Sequence, residues 1–339
     1  YTRYEPLGVC ACITPWNSPL LLLAWKLAPA LAAGNTVVIK PSEYTSASTI
    51  ELAKLSELAG FPPGVINVVT GYSSEVGEPL VAHKKVKKIA FTGGEEGGRK
   101  VNIAGAADFK KVTLELGGKS ANIVFDDADL DQALNGVISG IFAASGQTCI
   151  AGSRLLLQDS IHDEFVDRLV EIAKTAQLGN PMSEDTQIAP IATEPQYRKI
   201  LAYIDIAKAE GARCVLGGGP GEAAGKHQGL FVLPTIFVDV NNGMRIAQEE
   251  VFGPVLSVIR FKDEAEAISI ANDVDYGLAA GVWSKSLNRA INVSERLQAG
   301  TVWVNTYRST SYTSPFGGYK SSGLGRENGQ EAIKDYLQV

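Results

Sequence analysis

Three side chains in the sequence have the types and surroundings that covalent and acid–base catalysis require. Cys149 follows Gly146 in a loop of small residues, where a thiol with a lowered pKa would act as a nucleophile. Glu115 lies in the apolar run 112–116, where desolvation would raise its pKa toward the range of a general base. Asn17 lies between two prolines and could donate its side-chain amide to an oxyanion. Each also fits an ordinary role, as a small buried thiol, a solvated carboxylate and a turn residue.

A second group of residues could hold a nucleotide. Lys40 and Glu43 end a predicted strand and begin a helix, which is where open α/β sheets bind nucleotides. The segment 91–99 is glycine-rich and follows a strand, as a phosphate-binding loop at a helix N-terminus would. It does not have the G-x-G-x-x-G pattern of the common dinucleotide fingerprint. Lys40 and Glu43 could equally be surface charges at the start of a helix.

The segments that must position these residues alternate between strand and helix. Strands are predicted at 36–40, 65–69, 88–91, 121–125, 154–157, 215–216, 255–261 and 301–305. Helices are predicted at 46–59, 129–144, 161–176, 195–210, 264–272 and 287–298, with a buried helix at 20–33. This alternation predicts an α/β fold in which helices cover a parallel sheet. The glycine pair Gly117–Gly118 is the predicted domain boundary.

The composition excludes several classes of protein. With 339 residues, of which 45% are hydrophobic, the chain can bury a large core, and its length suggests two domains. A net charge of −6 without a basic stripe argues against nucleic acid as a partner. The apolar runs are too short to span a membrane. Because the chain begins at Tyr1 and not at Met, we expect its true N-terminus to be missing, and N-terminal targeting signals cannot be assessed.

The cysteines and histidines indicate neither a disulfide framework nor a metal site. Four scattered cysteines point to a reducing compartment, and we expect a cytoplasmic protein. Cys10 and Cys12 would share one face of a strand, where core packing is the favoured explanation. The histidines do not have the spacing of metal ligands, so no metal is expected. They are His83, His162 and His227.

Seven short motifs, taken together in this order, are much more specific than any one of them. They are PWNSP at 15–19, KPSE at 40–43, FTGG at 91–94, ELGGK at 115–119, GQTC at 146–149, EEVFGP at 249–254 and PFGGYK at 315–320. With them the chain resembles the NAD(P)-dependent aldehyde dehydrogenases over essentially its whole length. The resemblance implies an aldehyde-dehydrogenase-like fold with a Rossmann-type cofactor domain and an α/β catalytic domain. It also implies that family members extend further at the N-terminus.

The domains implied by this resemblance divide the chain into four segments. Residues 1–8 would be the remnant of an oligomerisation hairpin, and 9–117 an NAD-binding domain that is incomplete at its N-terminus. Residues 118–320 would form the catalytic domain and 321–339 a C-terminal return segment. The complete protein is expected to be a homodimer or homotetramer.

The resemblance implies a role for each candidate catalytic residue. Cys149 would attack the aldehyde carbon to give a thiohemiacetal, and Glu115 would activate the water that hydrolyses the thioester. The Asn17 amide and the backbone N–H of Cys149 would hold the oxyanion, and Lys26 would assist a proton relay. Glu43 favours NAD over NADP, because a carboxylate accepts hydrogen bonds from a 2′-hydroxyl but repels a 2′-phosphate.

The resemblance also implies two sets of binding residues. Those for the cofactor are Ile13, Thr14, Pro15, Trp16, Lys40, Glu43, Gly77, Phe91, Thr92, Gly93, Gly94, Leu116, Gly117, Glu250 and Phe252. Gly94 stands where the family commonly has a serine, so one hydroxyl contact with phosphate is in question. Those for the substrate are Trp25, Thr148, Ile150, Arg308, Thr310 and Phe316.

The preferred aldehyde and the fate of the acyl group stay open at this point. Apolar Trp25 and Ile150 favour an apolar or aromatic aldehyde, whereas Arg308 could pair with a substrate carboxylate, as in a semialdehyde. Family members that transfer the acyl group to coenzyme A usually lack the glutamate found here as Glu115. Its presence favours release of the free acid. An acyl-coenzyme-A-forming enzyme, or an NAD-binding fragment without activity, are the alternatives.

Overall fold

The backbone contacts divide the chain just after the strand Lys111–Glu115 and again before the C-terminal segment, which gives two units. The computed structural model describes residues 1–222 and 229–339, so His227 lies outside the described residues. One unit comprises Tyr1–Gly117 and Thr310–Val339, and the other Gly118–Ser309. The first break coincides with the predicted boundary at the glycine pair. Residues 310–320, predicted to belong with the second domain, lie in the first unit.

The first 117 residues contain six strands and four helices among their elements. The strands are β1 (Glu5–Pro6), β2 (Val9–Ile13), β3 (Thr36–Lys40), β4 (Ile66–Val68), β5 (Val86–Thr92) and β6 (Lys111–Glu115). The helices are α1 (Pro19–Ala32), α2 (Ala47–Leu58), α3 (Glu78–Ala82) and α4 (Glu95–Ala106), with a π-helical turn at Ser73–Gly77.

The second unit follows the same alternation. Its strands are β7 (Ala121–Val124), β8 (Arg154–Gln158), β9 (Arg213–Leu216), β10 (Thr235–Val238), β11 (Val255–Phe261), β12 (Tyr276–Gly277), β13 (Ala279–Trp283) and β14 (Thr301–Val304). Its helices are α5 (Leu130–Phe142), α6 (His162–Ala173), α7 (Glu194–Ala209), α8 (Arg245–Gln248), α9 (Glu264–Asn272) and α10 (Leu287–Arg296). Short 3₁₀ turns occupy Ala143–Gly146 and Asp159–Ile161.

The C-terminal segment adds β15 (Tyr319–Lys320), β16 (Gly323–Leu324), a 3₁₀ turn at Gln330–Tyr336 and β17 (Leu337–Gln338). In the first unit the six-stranded sheet has the order β16-β6-β5-β2-β3-β4, and β16 alone runs antiparallel to its neighbour. β1 and β17 form a separate antiparallel pair. Strand β16 is one reason why the C-terminal residues belong to the first unit.

In the second unit a seven-stranded sheet has the order β14-β13-β7-β8-β11-β10-β9. Its neighbours are parallel except for the edge strand β9. The predicted α/β class, with helices between parallel strands, is therefore confirmed. Strand β13 was not expected, because its sequence AAGVW has few β-branched residues. It forms because it pairs with both β7 and β14.

Two predictions about individual elements need correction. The helix predicted at 20–33 is not buried all round, because Leu20 and Leu21 are 44% and 55% exposed. Only one stripe of α1, which includes Leu23 and Lys26, faces the core. The helix predicted at 129–144 ends at Phe142, because the residues that follow have left-handed backbone angles.

Core packing explains Cys10 and Cys12, as the sequence predicts. Both side chains on β2 are fully buried in a cluster with Leu23 and Ile39. Burial raises the pKa of each thiol to about 12, so both stay protonated and unreactive near neutral pH.

Across the described residues, no helix combines the length and apolar character needed to cross a bilayer.

Candidate active site

The carboxyl ends of four parallel strands bring the predicted cofactor residues of the first unit to one edge of its sheet. Ile13 of β2 pairs with Lys40 of β3 on one side and with Phe91 of β5 on the other. Thr92, the next residue of β5, pairs with Glu115 of β6. In parallel α/β sheets this edge is where ligands bind, because the connecting loops and helix N-termini open there.

The segment after β2 leads directly from this edge into α1. The backbone N–H of Thr14 donates to the Lys40 carbonyl at 3.2 Å. The buried Thr14 hydroxyl has no hydrogen-bond partner within the described part of the chain. Pro15, Trp16 and Asn17 follow in a half-buried bend that ends where α1 begins. Asn17 therefore follows shortly after β2, whose carboxyl end lies at the same sheet edge as Glu115.

Lys40 and Glu43 form an ion pair, with 3.2 Å between Nζ and Oε2. Lys40 is buried at the end of its strand, whereas Glu43 is exposed. The pair fixes a carboxylate at the strand end, where the resemblance places the adenosine ribose.

The glycine-rich loop after β5 leads into α4 as a phosphate-binding loop would. Gly94 is the N-cap residue of α4, with φ −71° and no neighbour within 4 Å of an added Cβ. Gly93 and Gly97 instead pack closely on the Phe91 ring, which leaves little room for side chains there. The helix N-terminus therefore presents backbone N–H groups with an open position at Gly94.

Three further predicted cofactor residues occupy different parts of the first unit. Gly77 closes the π-helical turn and is half-buried. Leu116 donates its N–H to the Ser322 carbonyl at 2.9 Å, and Gly117 is buried next to it. The structure thus places Leu116 and Gly117 just beyond the sheet edge, while Gly77 lies in a separate turn.

Glu115 is a buried carboxyl at the end of β6. In the described residues, neither of its oxygens accepts a hydrogen bond. Burial and then the nearby negative charge of Glu327 raise the pKa of Glu115 well above its usual value, while Lys26 and Arg326 act in the opposite direction. A raised pKa makes the carboxylate a stronger proton acceptor, which is what a general base requires.

A buried ion pair lies beside Glu115. Lys26 of α1 donates to both carboxylate oxygens of Glu327, at 2.8 and 2.7 Å, and to the Thr92 hydroxyl at 2.6 Å. Glu327 is held in place by a two-way backbone bridge with Phe316. Sequence reasoning found Lys26 but missed Glu327, because 301 residues separate the partners and no local pattern marks the carboxylate.

The predicted substrate residues of the first unit are only partly brought together. The rings of Trp25 and Phe316 are in contact, with centroids 5.0 Å apart. Thr310 is exposed. Trp25 directly precedes Lys26 on α1, so the same helix carries one member of the aromatic pair and one member of the buried ion pair.

In the second unit a strained loop holds Cys149. The residues Ala144, Ser145 and Gly146 all have positive φ, between 54° and 70°. A Cβ on Gly146 would overlap the Gly253 carbonyl, so only glycine fits there. Left-handed angles at two residues other than glycine are costly, and such strain persists only where the surroundings enforce it.

Hydrogen bonds around the loop supply that enforcement. The Gln147 side chain accepts from the Ala192 N–H at 2.9 Å, and the Ser145 hydroxyl donates to the Ala189 carbonyl at 2.7 Å. After the cysteine, the Tyr307 hydroxyl donates to the Ile150 carbonyl at 3.1 Å. Cys149 itself is half-buried, so its thiol is held in a fixed loop without being sealed in the core.

Glu250 and Phe252 lie near this loop. A small pocket within the second unit is lined by both of them together with Thr148. Glu250 accepts a hydrogen bond from the Gly118 N–H at 2.9 Å. Gln196 donates to the carbonyl of Phe252 at 2.9 Å, which helps to hold that residue at a positive φ of 59°. These predicted cofactor residues therefore share a pocket with a predicted substrate residue.

Arg308 also approaches the cysteine loop. Its Nη1 lies 3.4 Å from both the Ala143 carbonyl and the Thr148 hydroxyl. The side chain is half-buried, and burial is the main reason why its pKa is lowered. Thr148, Cys149, Ile150 and Arg308 thus form one cluster in the second unit.

Each unit carries components expected of an NAD-dependent aldehyde oxidoreductase. One has a sheet edge of the kind at which α/β proteins bind nucleotides, together with a buried carboxyl, and the other has a thiol in an enforced loop. In residues 1–222 and 229–339, no group of three or more His, Cys, Asp or Glu side chains could hold a metal ion.

Comparisons with known proteins identify the family. The model of the aldehyde dehydrogenase family matches residues 1–339. An aldehyde dehydrogenase of Emericella nidulans is 52% identical over all of this chain and 68% of its own length. Human mitochondrial aldehyde dehydrogenase is 49% identical over all of this chain and 65% of its own length. This chain therefore belongs to the aldehyde dehydrogenase family.

Solved structures agree in fold and bear on the cofactor. Betaine aldehyde dehydrogenase of Staphylococcus aureus in complex with NAD⁺ is 46% identical, with a TM-score of 0.97 over 99% of this chain and 67% of that one. An aldehyde dehydrogenase of Bacillus cereus, also an NAD⁺ complex, is 44% identical, with a TM-score of 0.97 over 99% of this chain and 68% of that one. These relatives confirm the expected fold and enzyme class, and they support NAD as the cofactor.

The Lys26–Glu327 pair leads to a stability prediction. Lys26→Met leaves the Glu327 carboxylate buried without its cation, so we expect a loss of about 3–5 kcal/mol in the free energy of unfolding. The control Lys54→Met breaks the exposed pair with Glu51, which should cost at most about 1 kcal/mol. Urea unfolding followed by circular dichroism measures both. Equal losses in the two variants would contradict the importance of the buried pair.

Proposed function

We propose that this chain carries the catalytic residues of an enzyme that oxidises an aldehyde to a carboxylic acid through a thioester on Cys149. The observation that carries this proposal is the buried Glu115 carboxyl, whose pKa is raised by burial and by Glu327. Hydrolysis of a thioester needs a base of this kind to activate water, and relatives that transfer the acyl group to coenzyme A usually lack the glutamate that the resemblance matches to Glu115. The free acid is therefore the favoured product.

The residues at the sheet edge of the first unit fit NAD. The buried Thr14 hydroxyl, which lacks a partner among the described residues, and the open helix N-terminus at Gly94 suit a polar, phosphate-bearing ligand. Lys40 and Glu43 would hold the adenosine ribose, and Glu250 and Phe252 the nicotinamide end. NAD, when bound, supplies the acceptor for the hydride that leaves the aldehyde carbon.

Cys149 begins the reaction. Its thiolate sulfur bonds to the aldehyde carbon, and the carbonyl oxygen becomes an oxyanion. The Asn17 amide and the Cys149 backbone N–H would donate hydrogen bonds to that oxygen. The strained, hydrogen-bonded loop keeps the sulfur and the neighbouring N–H in a fixed arrangement, which lowers the cost of ordering them for the reaction. Once the hydride has left, the acyl group remains on sulfur as a thioester.

Glu115 completes the cycle. As a carboxylate it takes a proton from water, and the water oxygen attacks the thioester carbon. The carbon–sulfur bond breaks, Cys149 returns to the thiolate and the acid leaves. Lys26, buried between Thr92 and Glu327, would help to move the proton away from Glu115.

Assembly and location are proposed from the family resemblance. We expect the complete protein to be a homodimer or homotetramer, and a cytoplasmic one. Named relatives include both cytosolic and mitochondrial proteins.

The roles of Cys149 and Glu115 are tested by separating acylation from hydrolysis. Glu115→Gln should give a burst of about one NADH per chain at 340 nm, followed by a slow steady state, because only the second step needs the base. Cys149→Ser should give neither phase. In the unsubstituted chain, the steady-state rate should fall as the pH drops through the raised pKa of Glu115, because only the carboxylate accepts a proton. A steady-state rate unaltered in Glu115→Gln would remove Glu115 from this role.

The open position at Gly94 leads to a prediction about cofactor affinity. Gly94→Ser should restore a hydroxyl donor at the helix N-terminus without strain, because φ is ordinary and an added Cβ meets no neighbour. One added hydrogen bond should lower the Kd for NAD about 2- to 10-fold, measured by calorimetry. Gly219→Ser, at another open position in the second unit, is the matched control and should not change it. Weaker NAD binding in a stable Gly94→Ser protein would contradict the assignment of the phosphate loop.

A further inference from the structure

Arg308 is a charged side chain beside the predicted nucleophile that the proposed mechanism does not use. Its contacts at the cysteine loop are two long hydrogen bonds of 3.4 Å, both made by Nη1, to the Ala143 carbonyl and the Thr148 hydroxyl. Within the described residues, no carboxylate forms an ion pair with it. A guanidinium offers five N–H donors in a planar fork, so most of its capacity is uncommitted.

Other arginines of the same unit are satisfied in a different way. Buried Arg154 donates four hydrogen bonds, to three backbone carbonyls and to the Asn242 side chain. Arg289 forms ion pairs with Asp126, Asp127 and Glu264. Arg308 has neither arrangement, although it is half-buried and burial lowers its pKa. Such a group gains more than an exposed arginine does from a negatively charged ligand.

The neighbours of Arg308 hold it in place. Tyr307 is buried and packs on the Trp303 ring with centroids 4.7 Å apart, while its hydroxyl binds the Ile150 carbonyl. On the other side, the Trp303 indole donates to the Ser309 carbonyl at 2.7 Å. Arg308 itself has φ +65°, a strained value that these anchors enforce. The backbone that carries the side chain is therefore anchored on both sides, while the half-buried guanidinium keeps donors for a ligand.

We propose that Arg308 binds the carboxylate of the substrate, and that the preferred aldehyde is a short ω-oxo acid. This inference rests on the proposed attack of Cys149 on the aldehyde carbon. Arg308 contacts Thr148, whose Cα lies about 3.8 Å from that of Cys149 in the chain, so a short spacer must separate the aldehyde from the acid. The apolar alternative is less well supported, because Ile150 packs partly against the core and its carbonyl binds Tyr307.

Matched substrates test the proposal through turnover. We would measure kcat/KM for four- and five-carbon ω-oxo acids and for their methyl esters, which have the same chain without the charge. The acid-to-ester ratio should be high and should fall about 10- to 100-fold in Arg308→Gln, since a charge-assisted pair is lost. Arg308→Lys, which keeps the charge but not the fork, should lose less. The control Arg198→Gln removes an exposed arginine of α7 and should leave the ratio unchanged.

A second readout needs neither NAD nor turnover. Iodoacetate and iodoacetamide both alkylate a thiolate, forming a carbon–sulfur bond with loss of iodide, but only iodoacetate carries a carboxylate. We would follow alkylation of Cys149 by peptide mass spectrometry and take the ratio of the rate with iodoacetate to the rate with iodoacetamide. This ratio should be about 3- to 10-fold higher in the unsubstituted protein than in Arg308→Gln, because the guanidinium binds the carboxylate of the reagent. Buried Cys10 and Cys12 should not react.

The two readouts distinguish failure of this inference from failure of the proposed function. Turnover of acids and esters with equal kcat/KM in both proteins would overturn the carboxylate site and leave the dehydrogenase intact. Absence of turnover, with an iodoacetate preference that depends on Arg308, would support the site and count against the proposed function. If Arg308→Gln slows both reagents equally, Arg308 acts on the thiol instead and the inference is wrong.

Discussion

The buried ion pair between Lys26 and Glu327 is the interaction on which the first unit depends. It joins α1, the end of β5 and the C-terminal segment at a point sealed from water. A buried carboxylate without this cation would be costly, so the pair also ties Glu327 of the C-terminal segment to α1. Its negative member raises the pKa of Glu115, while its positive member opposes that shift. The same contact thus links the fold of the unit to the proton affinity of the proposed base.

In the second unit, the corresponding constraint is the enforced loop before Cys149. Three successive left-handed residues would be unstable in isolation. They persist because Gly146 fits closely against Gly253 and because the Ser145 and Gln147 side chains of the loop hydrogen-bond to the backbone of the neighbouring segment 189–192. Tyr307 connects this loop to Arg308, because its hydroxyl donates to the Ile150 carbonyl and it directly precedes Arg308 in the chain. Reactivity and substrate choice would therefore depend on one set of packing contacts.

Much of the fold could be predicted from the sequence, because hydrophobic periodicity and glycine or proline boundaries are local signals. β3, β11 and α9 lie at their predicted bounds. β13 could not be recognised, since its small residues form a strand only between two neighbours. The end of α5 was placed too late, because Ala144 and Ser145 carry no sequence mark of left-handed angles. Glu327 was missed for a similar reason, as its role arises only from a contact between distant segments.

The most direct test of the proposed function is the mass of the covalent intermediate. Glu115→Gln protein would be mixed with NAD and an aldehyde, quenched in acid and digested with pepsin for peptide mass spectrometry. The peptide containing Cys149 should gain the mass of the acyl group, and the unsubstituted protein should show far less of this adduct at steady state. An acyl group on a residue other than Cys149, or NADH formation without any adduct on Cys149, would contradict the proposal.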